Sequence, residues 1–295
     1  MATTRSEKVL CTDQAGMRVQ VGLVGCGIQK SRTPAMHEAE GEALGVTYSY
    51  SLFDPEAEEL GTLSDIIARA EADGFAGLNI TYPFKQEVLS HLDTLSEAAK
   101  RVGAVNTVVF RNGSRSGHNT DYWGYSESFR RGLTDAPRST VLQIGAGGAG
   151  GALAHALVDL GTNTLLIHDT RTGAAEALAQ AVNAVHARQI AHPVDSLEKA
   201  AERSDGIVNA TPVGMAKLPG MPIDPSLIRP DHWVSEIVYF PRETLLLRTA
   251  KAKGCRTLDG SGMAVFQAVR AFKLFTELDP SADRMRATFE ALDAP

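Results

Sequence analysis

At 295 residues, 43% of them hydrophobic, the chain has the length of about two domains and ample material for one or two buried cores. Its net charge of −6, with no local block of Lys and Arg, excludes the clustered basic surface that nucleic-acid binding needs. The opening "MATTRSEKVLCTDQAGM" holds no apolar core of signal-peptide length, and no later stretch is long enough to span a bilayer; a cytoplasmic protein with no membrane partner is expected.

In chain order, "VQVGLVG" (19–25) reads as a buried strand and "TPAMHEAEGEALG" (33–45) as a helix, with Pro34 at its start and Gly45 at its end. "VTYSYSLF" (46–53) alternates like a strand, and 55–73 looks helical. The next strand, 76–81, is closed by Pro83. A helical stretch over 94–102 leads into the strand "AVNTVVF" (104–110), and Asn112-Gly113 then makes a hairpin turn. A helix over 121–133 runs into the polar joint "TDAPRST". Past that joint the pattern resets with the strand "STVLQIG" (139–145), a Gly-rich turn and a helix through Leu160. The strands "TLLIHD" (164–169), "DGIVNAT" (205–211) and "HWVSEIVYF" (232–240), a helix over 242–253 and a last apolar helix over 263–278 follow. Strands alternating with helices imply an α/β fold with a parallel sheet covered on both faces.

Gly145-Ala146-Gly147-Gly148-Ala149-Gly150 follows a strand and opens a helix, the placement expected of a dinucleotide-binding turn. Gly145 permits the tight turn, Gly147 the approach of a pyrophosphate, and Gly150 the close packing of helix on strand, while the helix N-terminus presents free amides. Asp169 ends the next strand, where a carboxylate accepts hydrogen bonds from the ribose hydroxyls of NAD and repels the extra phosphate of NADP. Arg171 acts in the other direction, since an arginine there stacks on adenine or welcomes a phosphate. NAD is expected over NADP. Cys11, Cys26 and Cys255 are odd in number and scattered, so they read as free thiols, and the histidines form no ligand cluster, so no metal is expected.

Eight segments in this order, "SRTPAMH", "GLNITYPFKQ", "GAVNTVV", "HNTDYWGY", "GAGGAGGA", "VNATPVGM", "VYFPRETLLLRTAKAKGC" and "DGSGMAVFQAV", resemble the shikimate/quinate dehydrogenase family. The resemblance runs from about Val21 to Phe275, and the first seventeen residues, outside it, read as a flexible extension. It implies a two-domain enzyme with residues 1–124 and 262–295 binding substrate and residues 125–261 forming a Rossmann NAD-binding domain. The reaction implied is hydride transfer between the nicotinamide and C3 of a ring carboxylic acid, quinate or shikimate. Lys85 and Asp121 are then the catalytic pair. Ser31 and Thr33 bind the carboxylate, with Tyr239 close by, and Asn79, Thr81, Asn106, Asp121 and Gln267 bind the hydroxyls. Thr211, Pro212, Val238, Gly260 and Met263 join the Gly-rich turn, Asp169 and Arg171 around the cofactor. Thr33, where many members carry Ser, points to quinate beside shikimate, and Glu236 and Ala264 are further departures from the family's usual residues.

The chemistry agrees with this assignment. A polyhydroxylated acid needs short polar side chains, and Asn or Gln suits it because each both donates and accepts. Taken singly, Asn79, Thr81 and Asn106 read equally well as strand-end caps, and Thr33 as the N-cap of the helix from Pro34. Arg32 reads as a solvated charge. An alcohol that loses hydride must also shed its proton, which gives a lysine held against a carboxylate a role as base. An amino-substituted ring acid as substrate, or a sensor that binds NAD or a ring acid without turnover, are the alternative readings. The oligomeric state is left open.

Overall fold

A computed structural model of the chain describes residues 16–292; the expected extension and the Cys11 thiol lie, apart from Gly16 and Met17, outside the described residues. Two α/β lobes are built, each on a six-stranded sheet. The first lobe runs β1 (Arg18–Val24), α1 (Thr33–Ala43), β2 (Thr47–Phe53), α2 (Leu63–Ala72), β3 (Gly77–Ile80), β4 (Thr94–Leu95), α3 (Glu97–Val102), β5 (Thr107–Arg111) and β6 (Ser114–His118). Helix α4 (Thr120–Gly132) leads to the second lobe: β7 (Thr140–Ile144), α5 (Gly148–Asp159), β8 (Thr164–His168), α6 (Ala174–His186), β9 (Ala191–Pro193), α7 (Leu197–Arg203), β10 (Gly206–Asn209), β11 (Trp233–Glu236), α8 (Leu245–Ala252) and β12 (Arg256–Leu258). The chain ends in α9 (Ser261–Thr276) and α10 (Ala282–Ala291). No helix among the described residues is long and apolar enough to cross a membrane.

The second sheet, ordered β12-β11-β10-β7-β8-β9, is parallel throughout, as the alternation of elements predicts. Its central strands are apolar on both faces because both are covered. Val141, Leu165, Ile167 and Val208 pack with Leu153 and Leu157 of α5 and Val182 of α6. Leu142, Leu166, Ile207 and Val234 pack with Ala200 of α7 and Leu246 of α8. The first sheet, ordered β2-β1-β3-β5-β6-β4, is mixed, since β5 and β6 form a hairpin and β5 runs antiparallel to β3. Asn112 and Gly113 both take positive φ at that turn (54° and 71°), the geometry that an Asn-Gly hairpin favours. Leu63, Ile66 and Ile67 of α2 cover one face of this sheet, and Ala271 and Phe275 of α9 cover the other. The last helix thus returns to the first lobe.

Several boundaries differ from the sequence pattern. The helix expected over 55–73 begins only at Leu63, because the Asp54 carboxylate collects the amides of Gly27, Ile28 and Glu56 and holds the chain in a turn. Thr62 then caps α2 in a reciprocal box with Asp65. Residues 94–102 open with the short β4 before Ser96 caps α3. The strand expected over 232–240 stops at Glu236, and the helix after it starts at Leu245, capped by Thr244. Helix α10 has no counterpart in the sequence pattern, because it buries little beyond Met285 and Phe289.

Where β10 lies beside β11, a Cβ on Gly206 would stand 2.0 Å from Cε2 of buried Trp233, whose indole N–H donates to Pro137 O at 2.6 Å. Gly206→Ala is expected to lower unfolding free energy by about 3 kcal/mol in urea titration; a loss below about 1 kcal/mol contradicts this packing.

Candidate active site

Lys85, just past β3, and Asp121, in the first turn of α4, meet at 2.6 Å from Nζ to Oδ2, with side chains 20% and 4% exposed. The backbone around them fixes that meeting. Val105 N–H donates to Lys85 O at 2.8 Å. Asn119 caps α4 by accepting from Tyr122 N–H at 3.0 Å and donates its own amide to Ala104 O at 3.0 Å. Asn106 Oδ1 accepts from Thr120 N–H at 2.7 Å, and its Nδ2 donates to Thr120 Oγ1 at 3.0 Å. Asn79 Nδ2 donates to Thr107 Oγ1 at 3.0 Å and to Asn106 O at 3.3 Å, so both asparagines belong to one buried polar array leading to Asp121. Thr81 lies against Gly25, and Gln267 of α9 lies against Gly124 of α4.

On the second lobe, Gly145 takes φ +109°, and a Cβ there would collide with Ala210 C and O at 2.7 Å, next to Thr211. Gln143 holds the turn from beneath, its amide donating to Gly145 O and Gly150 O at 2.9 Å each. Gly147 is the N-cap of α5 and carries no side-chain cap, which leaves first-turn amides without partners among the described residues. Cβ atoms added at Gly147 and Gly148 would meet nothing closer than Arg171 Nη2 and Lys85 Cδ, each at 3.9 Å. Space, open amides and a helix N-terminus fit a dinucleotide pyrophosphate, and the Lys85 stem borders the same space. Asp169 Oδ2 accepts from Ala146 N–H at 2.7 Å, and Arg171 donates to both carboxylate oxygens at 3.0 Å. The Arg171 contact above all holds Asp169 down at about 2, with the amides of Ala146 and Arg171 adding to it and burial opposing. Gly260 lies against the backbone of Val238, and Met263 carries its carbonyl to Gly124.

Two readings of the α1 entry are corrected. Thr33 is not the N-cap: Arg32 takes that position without a side-chain cap, and Thr33, whose amide donates to Ser31 Oγ at 3.3 Å, is the first helical residue. Arg32 is not a solvated charge. It is 8% exposed, stacks 4.7 Å from the Phe289 ring centroid and donates to Phe289 O at 3.2 Å, because a planar guanidinium satisfies an aromatic face and a carbonyl together. Ser31 and Thr33 make no hydrogen bond to Lys85 or Asp121 among the described residues. Tyr239 lies within electrostatic reach of Asp121 and of Arg32: burial pushes its phenol up, nearby Arg32 opposes this, and nearby Asp121 adds to it. Sequence reasoning also missed Tyr50, whose hydroxyl donates to Asn79 Oδ1 at 2.7 Å; the tyrosine at an inward position of an alternating strand was the available signal.

Fold and site together define the class, a two-lobed α/β oxidoreductase whose glycine turn and lysine–carboxylate pair come from different lobes. Residues 23–108 match the family described as the shikimate dehydrogenase substrate binding domain, and residues 260–288 match the shikimate 5'-dehydrogenase C-terminal domain. The chain is similar to the quinate/shikimate dehydrogenase (NAD(+)) of Corynebacterium efficiens, 48% identical with 93% of this chain and 98% of the relative covered. It is also similar to the shikimate dehydrogenase (NADP(+)) of Streptomyces avermitilis, at 50% identity with 92% and 95% covered. Among solved structures, quinate dehydrogenase from Corynebacterium glutamicum in complex with NAD superposes with a TM-score of 0.89 at 46% identity, covering 93% of this chain and 99% of that one. The chain belongs to the shikimate/quinate dehydrogenase family.

Glu236, the departure at the end of β11, is buried and occupied. Its Oε1 accepts from Asn209 Nδ2 at 2.8 Å and Val238 N–H at 3.0 Å, and its Oε2 from Thr244 Oγ1 at 3.1 Å. Asn209 in turn accepts from Thr211 N–H at 2.9 Å, so this carboxyl ties the Thr211 loop, the Val238 segment and the α8 cap together. Burial pushes Glu236 up to about 7, against the opposing pull of its donors. A carboxyl raised from 4.5 to about 7 on folding contributes fully below 4.5, and that contribution is lost as pH rises through 7. Glu236→Gln, which keeps an acceptor for Asn209 and can donate to Thr244, is expected to gain stability relative to wild type between these pH values, by up to about 3 kcal/mol. Denaturant titrations across that range check the trend; a pH-independent difference contradicts it.

Proposed function

We propose that this chain is an NAD-dependent dehydrogenase that reversibly oxidises the C3 hydroxyl of quinate and shikimate to the 3-dehydro acid. What carries the reading is the 2.6 Å contact of Lys85 with Asp121 beside the open glycine turn. In this reading residues 1–124 and 262–295 bind the ring acid and residues 125–261 bind the cofactor. A dinucleotide held at the turn by its pyrophosphate would supply or remove hydride at C3 through its nicotinamide. Lys85 accepts the hydroxyl proton during oxidation and returns it during reduction, and Asp121 holds the resulting ammonium in place. Ser31 and Thr33, near the N-terminus of α1, receive the substrate carboxylate where a helix end favours negative charge, with Tyr239 alongside. Asn79, Thr81, Asn106 and Gln267 pair the ring hydroxyls. Free Cys26 and Cys255 fit the reducing cytoplasm in which such an enzyme works.

Preference for NAD over NADP belongs to the same proposal. The Asp169 carboxylate stands by the turn and opposes an added phosphate by about 4 kcal/mol per unit-charge pair at 4 Å and a dielectric near 20. Arg171 already neutralises part of that charge, which narrows the discrimination without reversing it.

Lys85→Ala is expected to lower kcat by about 10²- to 10⁴-fold while the KM for the ring acid changes much less. Steady-state kinetics decide it; a variant that keeps most of its turnover removes Lys85 from the proton path. Initial rates with quinate and shikimate, each with NAD and NADP, should be dominated by NAD, and Asp169→Ala should shrink the NAD/NADP ratio of kcat/KM by at least about tenfold, some 1.4 kcal/mol. Equal or faster rates with NADP in wild type refute the role given to Asp169.

A further inference from the structure

The hydrogen-bonding capacity of Asn79 is almost fully used inside the protein, and the pattern of use has a direction. Tyr50 of β2 and Asn79 of β3 lie on either side of β1, where Tyr50 is in register with Val21 and Asn79 with Leu23, two residues on. Both therefore point to the same sheet face, the one covered by Ala271 and Phe275 of α9, and the phenol passes over β1 to reach the amide. Asn106 O, a carbonyl, can only accept, so the group of Asn79 that faces it at 3.3 Å is the NH2. The second amide hydrogen goes to Thr107 Oγ1 at 3.0 Å. The oxygen of Asn79 is thereby turned to Tyr50, whose hydroxyl donates to it at 2.7 Å. Burial keeps that hydroxyl protonated by raising its titration far above the usual phenol range. One lone pair on Oδ1 is all that Asn79 has left to offer.

Asn106 is arranged in the opposite sense. Its Oδ1 accepts from Thr120 N–H at 2.7 Å and has the hydroxyls of Thr120 and Thr107 at 3.1 and 3.2 Å as further donors, so its lone pairs are filled, while Nδ2 spends one hydrogen on Thr120 Oγ1 at 3.0 Å. Among the described residues, one donor remains free. We propose that Tyr50 is a positioning residue that fixes Asn79 as an acceptor-only partner for one substrate hydroxyl, beside an Asn106 that presents a donor. The site then reads the direction of the hydrogen bonds along the ring, and not only the presence of hydroxyls. The inference rests on the ring-acid reading of this cleft and deepens it. The ring of Tyr50 belongs to the core, with His37 edge-on at 5.2 Å, whereas its hydroxyl contacts Asn79, so the two contributions separate on loss of one atom.

Tyr50→Phe tests this, because it keeps the packing and removes only the donor. The KM for quinate or shikimate is expected to rise about tenfold, with kcat and the KM for NAD within about twofold of wild type. A second measurement uses substrate analogues in which each hydroxyl other than the reacting one is replaced in turn by fluorine, which cannot donate. In wild type one position should lose at least about tenfold in kcat/KM, and Tyr50→Phe should reduce that penalty. An unchanged ring-acid KM overturns the proposal, as does a parallel fall in kcat and both affinities, which marks a purely structural tyrosine. Wild-type enzyme that turns over neither acid overturns the functional reading and this inference together; normal wild-type turnover with an unaffected Tyr50→Phe overturns this inference alone.

Discussion

The contact between Lys85 and Asp121 is the constraint around which the rest of the molecule is arranged. Removing two charges from water costs several kcal/mol per ion, and their attraction compensates only when the geometry is held and the remaining bonds are made. The segment 104–106 supplies that hold. Val105 bonds the lysine's own carbonyl, Ala104 receives the amide of the Asn119 cap, and Asn106 grips Thr120, the residue before Asp121. One short stretch ahead of β5 thus sets the positions of both partners. The carboxylate sits in the first turn of α4, where the helix end favours negative charge.

Helix α4 also joins the two lobes. Next to Asp121, the Tyr122 hydroxyl donates to Asp159 of α5 at 2.5 Å, and Arg101 of α3 approaches the same carboxylate at 3.3 Å. On its other side α4 packs against α9, with Gly124 close to the backbone of Met263 and Gln267. The Lys85–Asp121 pair, the helix that returns from the second lobe, and the glycine turn are therefore fixed relative to one another through one helix.

Much of this was legible in the sequence where the cause is local. The Gly-rich turn followed from backbone sterics, and the structure bears out its place between a strand and a helix. The Asn112-Gly113 hairpin and the parallel alternation of the second lobe were legible for the same reason. Boundaries were less so, because partners distant in sequence can cancel a helical pattern, as Gly27 and Ile28 do for residues 55–62 by occupying the carboxylate of Asp54 just before them. Arg32 was misread because its partner Phe289 lies on the last helix, and nothing near position 32 announces it.

By itself, the sequence determined the α/β class, the dinucleotide-type turn, the expectation that Lys85 and Asp121 act together, and, through its motifs taken in order, the family. Each depends on residue types at short spacing or on their linear order. Tertiary structure alone decided which hydrogen-bonding valences those residues keep free: that Asn79 is left an acceptor by Tyr50 and Asn106, that Asp169 is shared between Ala146 and Arg171, and that Glu236 is buried among three donors. A side chain's chemistry is written in the chain, but the share of it left for a ligand is set by neighbours brought from other strands and helices.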